Sequence, residues 1–355
     1  MSAIRAGFSP CCADLFADRD LATVVPTQRL DRPEYPQNIG RFLKTATNGP
    51  WCYTGAIENE FELVNRCSKN RELWGNAGAI LRRVRDPFLL REVFSRSGIA
   101  LPEVATAAAP NEGTWLVKPR RSGAGSGIRR WAGETLRAGE ILQRYIRGDS
   151  VSAIFVGFDD VCLFLGSTRQ LVGEAWFHAP EWHYCGSIGP RNISKAERES
   201  WQVIGDVLAS EFSLRGIFGV DAVIEDRRIC PLEVNPRYTA SVEVLEHGLN
   251  LASMALHAAA FAGGTRPKLG AAAKWIGKAI YFAPQTLQFP VSGPWDDDVS
   301  FETWRVPRFA DIPHPETWIN RGEPVLTFFA VAEDEKGCVN SLTTVALQLD
   351  QLLSR

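Results

Sequence analysis

The chain has 355 residues, of which 45% are apolar and 23% are charged, and its formal net charge is −2. This composition is typical of a globular protein, and the length is more than one hydrophobic core usually fills, so roughly two or three domains are expected. The near-neutral charge gives no electrostatic argument for nucleic acid or a membrane surface as a partner.

Two further features narrow the class of protein. No run of 18 apolar residues predicts a membrane-spanning helix, and the first residues lack a secretory signal pattern. Eight cysteines without a Cys-x-x-Cys pair indicate small buried side chains rather than a zinc site or a disulfide framework. We therefore expect a protein of the reducing cytoplasm.

The first part of the chain, to about residue 90, mixes short strands with helical stretches and predicts a small α/β domain. Two prolines, Pro87 and Pro102, bracket a predicted helix over residues 88–97, which Gly98 ends. The alanine-rich residues 105–110 are typical of a linker.

A glycine-rich segment over residues 114–127 follows the linker. An apolar strand ends at Lys118, and Gly123, Gly125 and Gly127 then allow close approach of the backbone to a ligand. Successive N–H groups in such a loop can surround an anion, and a lysine adds a compact positive charge for phosphate. Because only eight of the 39 basic residues are lysines, this one indicates a specific need for an ammonium group. A glycine-rich surface turn is the alternative.

The next two elements are a strand pair and a helix. Residues 140–146 predict a strand that ends in a polar turn, and alternation continues through residues 150–156. An adenine could bind the backbone there with Asp149 near a ribose, although the spacing alone is that of an ordinary sheet. Ser194 and Glu197 form a predicted capping box for a helix over residues 194–212, and a second helix is predicted over 249–261.

The most informative pattern is a predicted hairpin. Apolar runs at 220–225 and 229–234 flank a polar turn, and Glu233 and Asn235 are two residues apart, so their side chains share one face. Asp221 reaches that face if the runs pair. Two carboxylates and an amide suit a hard cation such as Mg²⁺, which prefers oxygen ligands. A polar hairpin edge with scattered charges is the alternative.

From about residue 263 a segment rich in Gly, Pro and Lys opens a strand-rich tail. Strands are predicted at 275–283 and 325–331, and a helix is predicted near 342–353.

The order of three motifs resembles the ATP-grasp superfamily, and within it the ATP-dependent carboligases related to biotin carboxylase. The motifs are Val117-Lys-Pro with its glycine-rich loop, Gln143-x-Tyr-Ile-x-Gly-Asp149, and Asp221 followed by Glu233-x-Asn-Pro-Arg237. Shorter flanking segments are also similar, so that the resemblance covers nearly the whole chain: residues 14–18, 53–59, 74–76, 84–87, 183–190, 310–313 and 322–327.

The resemblance implies an α/β (α+β) ATP-grasp fold in three parts. These are an N-terminal α/β domain with its linker over residues 1–110, a two-lobed core over 111–262, and a strand-rich C-terminal segment over 263–355 that packs on the core. It also implies that residues 2–8 are the end of a first helix, before which a strand and a glycine-rich turn are expected.

The resemblance further implies a role for each motif residue. Lys118 contacts ATP phosphates, and the mobile lid over those phosphates comprises Ser122, Gly123, Gly125, Ser126 and Gly127. The adenine hinge comprises Gln143, Tyr145 and Ile146, with Asp149 facing the ribose. Asp221, Glu233 and Asn235 hold Mg²⁺, and Arg237 stabilises the transferred phosphoryl group or the acyl phosphate.

One expected residue has no counterpart in this chain. Many ATP-grasp enzymes carry a second phosphate-contacting lysine in the region of residues 86–90, where this chain has none. Four arginines are near: Arg82, Arg83, Arg85 and Arg91. A planar guanidinium is not equivalent to an ammonium, so the resemblance leaves open which of these arginines, if any, replaces the lysine.

The activity implied by the resemblance is an ATP- and Mg²⁺-dependent ligase that joins a small-molecule carboxylate to an amine, often as a homodimer. The resemblance implies that the substrates are an amino acid such as glutamate and an amine such as tyramine. It also implies that the reaction belongs to the biosynthesis of a one-carbon cofactor of the methanopterin or methanofuran kind. One alternative is carboxylation of a small amine in the manner of biotin carboxylase. Another is a nucleotide-binding regulatory or scaffold protein without catalysis.

Several other polar residues have two interpretations each. His178 and His183 belong either to a packed aromatic loop, which we favour, or to a substrate pocket. His247 forms with Glu243 and Glu246 a cluster that could bind a metal, but no second ligand set is evident, so we favour a place at the edge of the core or in solvent. Glu243 is also expected to help shape the substrate pocket. Lys278 either reaches the acyl phosphate or extends along a sheet edge. Residues 296–298 predict a solvated acidic loop.

Overall fold

The computed structural model describes residues 1–109, 112–159, 161–263, 274–300, 302 and 304–353. The N-terminal elements are short: α1 (Ser2–Arg5), β1 (Cys12–Asp14), α2 (Arg19–Val24), β2 (Thr27–Arg29), α3 (Ile39–Thr45), α4 (Phe61–Ser68), α5 (Gly78–Val84) and α6 (Pro87–Arg96). Strands β1 and β2 pair in parallel. The helix predicted over 88–97 is confirmed as α6, and the Asp86 side chain caps it by accepting from the backbone N–H groups of Phe88 and Leu89.

A small antiparallel sheet follows the N-terminal helices. It contains β3 (Val104–Ala105), β4 (Trp115–Pro119), β5 (Arg129–Arg130) and β6 (Glu140–Arg144), in the order β3-β6-β4-β5. The predicted linker begins inside this sheet, because Ala105 pairs with Leu142, whereas residue 110 lies outside the described residues. Apolar side chains of β4 and β6 form a small core beneath the sheet, and Lys118 lies near the end of β4.

The large sheet is antiparallel and eight-stranded, in the order β11-β10-β7-β8-β9-β12-β16-β14. The strands of this sheet are β7 (Asp149–Gly157), β8 (Cys162–Val172), β9 (Tyr184–Gly189), β10 (Gly216–Glu225), β11 (Arg228–Asn235), β12 (Trp275–Phe282), β14 (Phe309–Ala310) and β16 (Pro324–Ala332). A separate two-stranded sheet contains β13 (Leu287–Gln288) and β15 (Trp318–Ile319). The tail strands predicted at 275–283 and 325–331 are confirmed as β12 and β16. They extend the sheet because β12 pairs with β9. Most of the predicted segment rich in Gly, Pro and Lys, residues 264–273, lies outside the described residues.

Helices cover both faces of the large sheet. They are α7 (Lys195–Phe212), α8 (Ala240–Leu249), α9 (Ser253–Ala262) and α10 (Glu335–Leu353). Trp201 of α7 packs against Phe155, whereas the neighbouring residue Ile154 packs with Leu245 of α8 on the opposite face. This alternation follows from the two-residue period of a strand and buries β7 on both sides.

Two helix predictions have specific outcomes. The Ser194 cap of α7 is confirmed, since its hydroxyl accepts from the Glu197 N–H at 3.1 Å, although the Glu197 carboxylate binds Arg191 instead of closing the capping box. The helix predicted over 249–261 is confirmed as α9, but it begins at Ser253, because the preceding helix α8 ends at Leu249 and Asn250 adopts a left-handed conformation. None of the helices in the described ranges is long and apolar enough to cross a bilayer.

Candidate functional site

The predicted hairpin is confirmed as β10 and β11. Asp226 and Arg227 in its turn both have positive φ, which is the backbone conformation of a tight hairpin turn that matches the strand twist. Asp221 lies directly opposite Glu233, with an irregularity in the register just after Asp221. The irregularity skips Leu232, which an unbroken register would place opposite Asp221, and so brings both carboxylates to one face.

Asp221 is held by two amides. The Nδ2 atom of Asn235 donates to Asp221 Oδ2 at 2.9 Å, and the Nε2 atom of Gln170 donates to Asp221 Oδ1 at 2.9 Å. Burial and the negative charge of Glu233 raise the pKa of Asp221 above its usual value. Gln170 lies on β8 and has no role in the sequence prediction, because only the sheet order brings it to the hairpin.

Glu233 experiences the opposite electrostatic effect. Burial acts to raise its pKa, but the positive charges of Arg85, Lys118 and Arg237 outweigh that effect and keep the pKa below its usual value. Burial lowers the pKa of Lys118, although Glu233 and Asp221 act against the shift. The site therefore places an ammonium and two guanidinium groups beside a half-buried pair of carboxylates.

The donor set suits a hard divalent cation. Two carboxylates that share one buried site repel each other, and a cation between them would remove that repulsion. Within the described ranges no group of three or more His, Cys, Asp or Glu side chains is arranged to hold a metal. The candidate set is accordingly a mixed one, with the amide oxygen of Asn235 beside the carboxylates of Asp221 and Glu233.

A cleft of about 510 Å³ lies between the small sheet and the hairpin. Its polar lining comes from Arg85, Lys118, Arg120, Ser122, Gln143 and Glu233. The predicted hinge residue Gln143 donates from Nε2 to the carbonyl of Leu232 at 3.3 Å and so links β6 to β11. Lys118, Ser122, Gln143 and Glu233 are thus brought together as the sequence predicts.

The other predicted hinge residues do not line this cleft. Tyr145 follows β6, where its ring packs edge-on against Trp182 at 5.7 Å, and Ile146 is half-buried in the same loop. Asp149 is exposed at the start of β7, opposite Ile224. Their predicted contacts with adenine and ribose stay a prediction.

The glycine-rich loop lies against β9. The carbonyl of Ala124 accepts from the Tyr184 N–H at 3.1 Å. Gly125 has a φ of +80°, and a Cβ atom there would be 1.9 Å from the carbonyl oxygen of Trp182. The Ser126 N–H donates back to the Gly123 carbonyl at 3.1 Å and closes a turn within the loop. Glycine at position 125 is therefore required for the close approach of the loop to residues 182–184.

One of the four candidate arginines enters the cleft. Arg85 donates to the Ser122 carbonyl of the glycine-rich loop at 3.2 Å and to the Val234 carbonyl of β11 at 3.4 Å. Arg82 instead pairs with Glu62 on the surface, and Arg83 donates to the carbonyl of Glu211. The sequence shows four arginines near residues 86–90 but does not show which of them enters the cleft.

Arg237 follows the end of β11 by two residues. Its Nη2 atom is 3.3 Å from Asn235 Oδ1 and 2.9 Å from Glu58 Oε1. Glu58 belongs to the segment 53–59, which resembles the family. That resemblance is the one sequence signal that points to Glu58, and it gives the carboxylate no role.

The remaining candidates are distributed as follows. Lys278 lies on β12, an interior strand, and is buried with its Nζ atom 2.8 Å from Glu243, so the sheet-edge interpretation is wrong. His178 packs edge-on against Tyr281 and pairs with Asp350, in agreement with a packed loop. The prediction of a solvated acidic loop over residues 296–298 is wrong for Asp298, because this side chain is buried and accepts from the Phe309 N–H at 3.0 Å.

Two more histidines complete this set. His183 is half-buried near the glycine-rich loop, where its Nδ1 atom lies 3.2 Å from the Glu181 carbonyl. His247 is buried on α8, and burial lowers its pKa.

Comparisons with known proteins agree with this architecture. Residues 84–241 match the ATP-grasp domain family. The chain therefore carries an ATP-grasp domain, and this domain contains the cleft, the glycine-rich loop and the hairpin.

The fold of the chain is that of biotin carboxylase and its structural neighbours, so the predicted fold class is confirmed. The biotin carboxylase–βγ-ATP complex from Campylobacter jejuni superposes with a TM-score of 0.72 at 12% identity, covering 98% of this chain and 87% of the other. The L-amino acid ligase from Bacillus licheniformis gives 0.68 at 14% identity, covering 99% and 93%. The N5-carboxyaminoimidazole ribonucleotide synthetase from Thermotoga maritima gives 0.67 at 11% identity, covering 99% and 94%.

A curated relative in sequence is an uncharacterized protein of Methanocaldococcus jannaschii. It is 28% identical over 204 residues, which are 57% of this chain and 45% of the relative. The chain thus spans about half the length of that relative.

Proposed function

We propose that this protein is an ATP- and Mg²⁺-dependent ligase that joins a carboxylate to an amine through an acyl phosphate. The observation that carries the proposal is the opposition of charges across the cleft. Glu233 lines the cleft together with Lys118 and Arg85, and Asp221 lies directly opposite Glu233 on the neighbouring strand. That arrangement suits a metal–polyphosphate ligand, whose two components have opposite charges.

Asp221, Glu233 and Asn235 would hold the metal. When bound, Mg²⁺ would supply neutralisation of the phosphate charge and would orient the phosphates for in-line transfer. Lys118 and Arg85 would compensate the remaining negative charge, and the loop over residues 122–127 would cover the phosphates and exclude water.

The chemistry that follows is phosphoryl transfer and then acyl transfer. An oxygen of the substrate carboxylate attacks the γ-phosphorus, and the bond to the bridging oxygen breaks to release ADP. The amine nitrogen then attacks the acyl carbon, inorganic phosphate leaves with the bonding electron pair, and the nitrogen loses a proton. Arg237 would stabilise the negative charge of the transferred phosphoryl group, since its guanidinium lies beside the proposed metal ligand Asn235.

The nucleotide base would lie near the end of β6. Gln143 already lines the cleft, and Tyr145, Ile146 and Asp149 follow it on the connection to β7. We propose that these three residues contact the adenine and the ribose, with the backbone beside Tyr145 providing the hydrogen bonds.

For the substrates we propose an amino acid such as glutamate and a small amine, in one-carbon cofactor biosynthesis. The fold similarity to an L-amino acid ligase supports an amino-acid substrate. A second candidate, carboxylation of a small amine, is favoured by the similarity to biotin carboxylase. A non-catalytic nucleotide-binding protein is less well supported, because Arg85 supplies the second positive charge in the cleft that the sequence lacks as a lysine.

The test is phosphate release from ATP with Mg²⁺ across a panel of amino acids, amines and bicarbonate, with mass spectrometry of the products. We expect ADP, phosphate and a condensed mass only when one acid and one amine are both present. Dependence on bicarbonate would favour carboxylation instead. Nucleotide binding without turnover on any pair would contradict the ligase proposal.

A further inference from the structure

Glu58 is a buried carboxylate at the boundary between the N-terminal region and the proposed transfer site. It lies in the short 3₁₀ helix Gly55–Asn59 and is only 1% exposed. Its Oε1 atom is 2.9 Å from Arg237 Nη2 and 3.4 Å from Arg85 Nη1. One carboxylate oxygen is therefore shared by the two arginines of the site.

The backbone around Glu58 is attached to the same region independently of its side chain. Thr54 forms an isolated parallel bridge with Tyr238, the residue after Arg237. Tyr53, at the start of the same segment, donates its hydroxyl to the Asn76 carbonyl at 2.7 Å, and the Asn76 amide donates to the Pro236 carbonyl at 3.2 Å. Loss of the Glu58 charge should consequently leave this segment in place.

The two arginines depend on Glu58 to different extents. Among the described residues, Glu58 is the only carboxylate within ion-pair distance of Arg237, whose further acceptors are two neutral oxygens, Asn235 Oδ1 and the Tyr238 carbonyl. Arg85 also donates to Asn59 Oδ1 at 3.1 Å and to two backbone carbonyls. The position of Arg85 is therefore determined largely by other contacts.

Burial of a charged carboxylate is unfavourable unless the charge is paired, because the group loses its hydration. The second oxygen of Glu58 has no hydrogen-bond partner within the described ranges, so the group does not complete a saturated structural network. What it does supply is negative charge between two guanidinium groups, which would otherwise repel each other.

We propose that Glu58 is a positioning residue that fixes the Arg237 guanidinium for stabilisation of the transferred phosphoryl group. This inference rests on the proposed ligase function and assigns the N-terminal segment 53–59 a part in it. Glu58 acts through Arg237 and needs no contact with the substrate.

The first experiment compares the wild type with Glu58→Gln, which keeps the size of the side chain and removes its charge. We expect kcat to fall on the order of 100-fold, as for a displaced catalytic group, with less than a twofold change in the Kd for ATP. In the Arg237→Ala background the same substitution should cause no further loss. Equal losses of kcat in both backgrounds, or a loss confined to ATP affinity, would overturn the proposal.

Two further variants separate positioning from general stability. Glu62→Gln removes a neighbouring carboxylate whose ion pair with Arg82 is on the surface, and it should leave kcat unchanged. Glu58→Asp keeps the charge and should recover much of the activity that Glu58→Gln loses. If Glu58→Gln does not fold, Glu58→Asp takes its place in the test. A loss of kcat in Glu58→Asp that is equally large in the Arg237→Ala background would then overturn the proposal.

A crystal structure of the Glu58 variant makes the result independent of the ligase assay. We expect the Arg237 guanidinium to leave its place beside Asn235 while Arg85 stays at Ser122. An unmoved Arg237 would refute the positioning role even if turnover were found. A wild-type protein that condenses no acid–amine pair would refute the proposed function, and the position of Arg237 would still decide the inference on Glu58.

Discussion

The amide nitrogen of Asn235 donates to the Asp221 carboxylate at 2.9 Å, and this bond fixes which atom of the amide faces the rest of the site. Because the nitrogen is engaged with Asp221, the Oδ1 atom is directed to Arg237 at 3.3 Å. The amide oxygen is thus presented beside two carboxylates without adding a third negative charge. An aspartate at position 235 could not do this, since it has no donor for Asp221.

The first prediction concerns the metal. Glu233→Gln or Asn235→Ala should abolish Mg²⁺-dependent turnover while the protein still folds, because the first removes a negative charge from the proposed set and the second removes an oxygen donor. Turnover is measured against Mg²⁺ concentration, and folding by circular dichroism. Glu225→Gln, an exposed change at the turn of the same hairpin, is the matched control. Unchanged turnover in both Glu233→Gln and Asn235→Ala would refute the metal assignment.

The second prediction concerns Lys118. Lys118→Ala should weaken ATP binding at least about tenfold, on the order of 1.4 kcal/mol, as expected for loss of a charge-assisted contact. Titration calorimetry with ATP and Mg²⁺ measures the change. Lys195→Ala is the control, since that lysine is on the surface. An ATP titration of Lys118→Ala that matches the wild type would contradict the phosphate contact.

The hairpin was predictable because its information is local. Alternation of apolar residues predicts that Glu233 and Asn235 share a face, and the polar turn predicts that the two runs pair. The register irregularity that places Asp221 opposite Glu233 needed the structure. Helix α8 was not predicted for the opposite reason. Most of its residues are buried, so it lacks the polar stripe that gives a helix its 3.6-residue pattern.

The arginines and their partner needed the tertiary structure. Glu58 and Arg237 are separated by 179 residues, and Gln170 and Asp221 by 51, so neither contact leaves a local pattern. Similarly, Arg82, Arg83 and Arg85 are neighbours in sequence, and their different surroundings arise because successive helix residues point in different directions. The family resemblance marks segments that matter but does not give the contacts between them.

A third prediction follows from the position of Arg85. Arg85→Ala should weaken ATP binding by about tenfold and should also loosen the glycine-rich loop, because Arg85 donates to the Ser122 carbonyl. Arg85→Lys keeps the charge but cannot contact Ser122, Asn59 and Val234 together, so an intermediate affinity is expected. Arg82→Ala, a surface change one helical turn away, should bind ATP normally. Equal affinities for all three variants would exclude Arg85 as a phosphate contact.

The fourth prediction separates two glycines of the loop. Gly125→Ala would place a Cβ atom 1.9 Å from the Trp182 carbonyl oxygen at a positive φ, so the loop could not lie against β9. Gly123 has nothing within 4 Å of such an atom, which makes Gly123→Ala the matched control. We expect Gly125→Ala to lower kcat at least about tenfold through loss of loop closure, whereas Gly123→Ala retains turnover. Similar kcat values for the two variants would show that the loop does not need this contact.

The last prediction concerns stability rather than chemistry. Asp18 lies near Asp20 and Asp311, and burial together with these like charges raises the pKa of Asp18 to about 7. An aspartate in an unfolded chain has a pKa of about 3.9, so between these values the folded protein binds more protons than the unfolded chain. The contribution of Asp18 to the free energy of unfolding therefore falls as pH rises from about 4 to about 7, and its destabilising effect is complete above that range.

Asp18→Asn should accordingly stabilise the protein at pH 8, by about 1–2 kcal/mol after allowance for the partial exposure of the group. The gain should be smaller at pH 5, where the native carboxyl is already largely protonated. Urea unfolding at the two pH values measures the difference. Asp31→Asn, an exposed change in the same N-terminal region, should alter neither value. A gain for Asp18→Asn that is equal at both pH values would show that the charge of Asp18 is not what destabilises the fold.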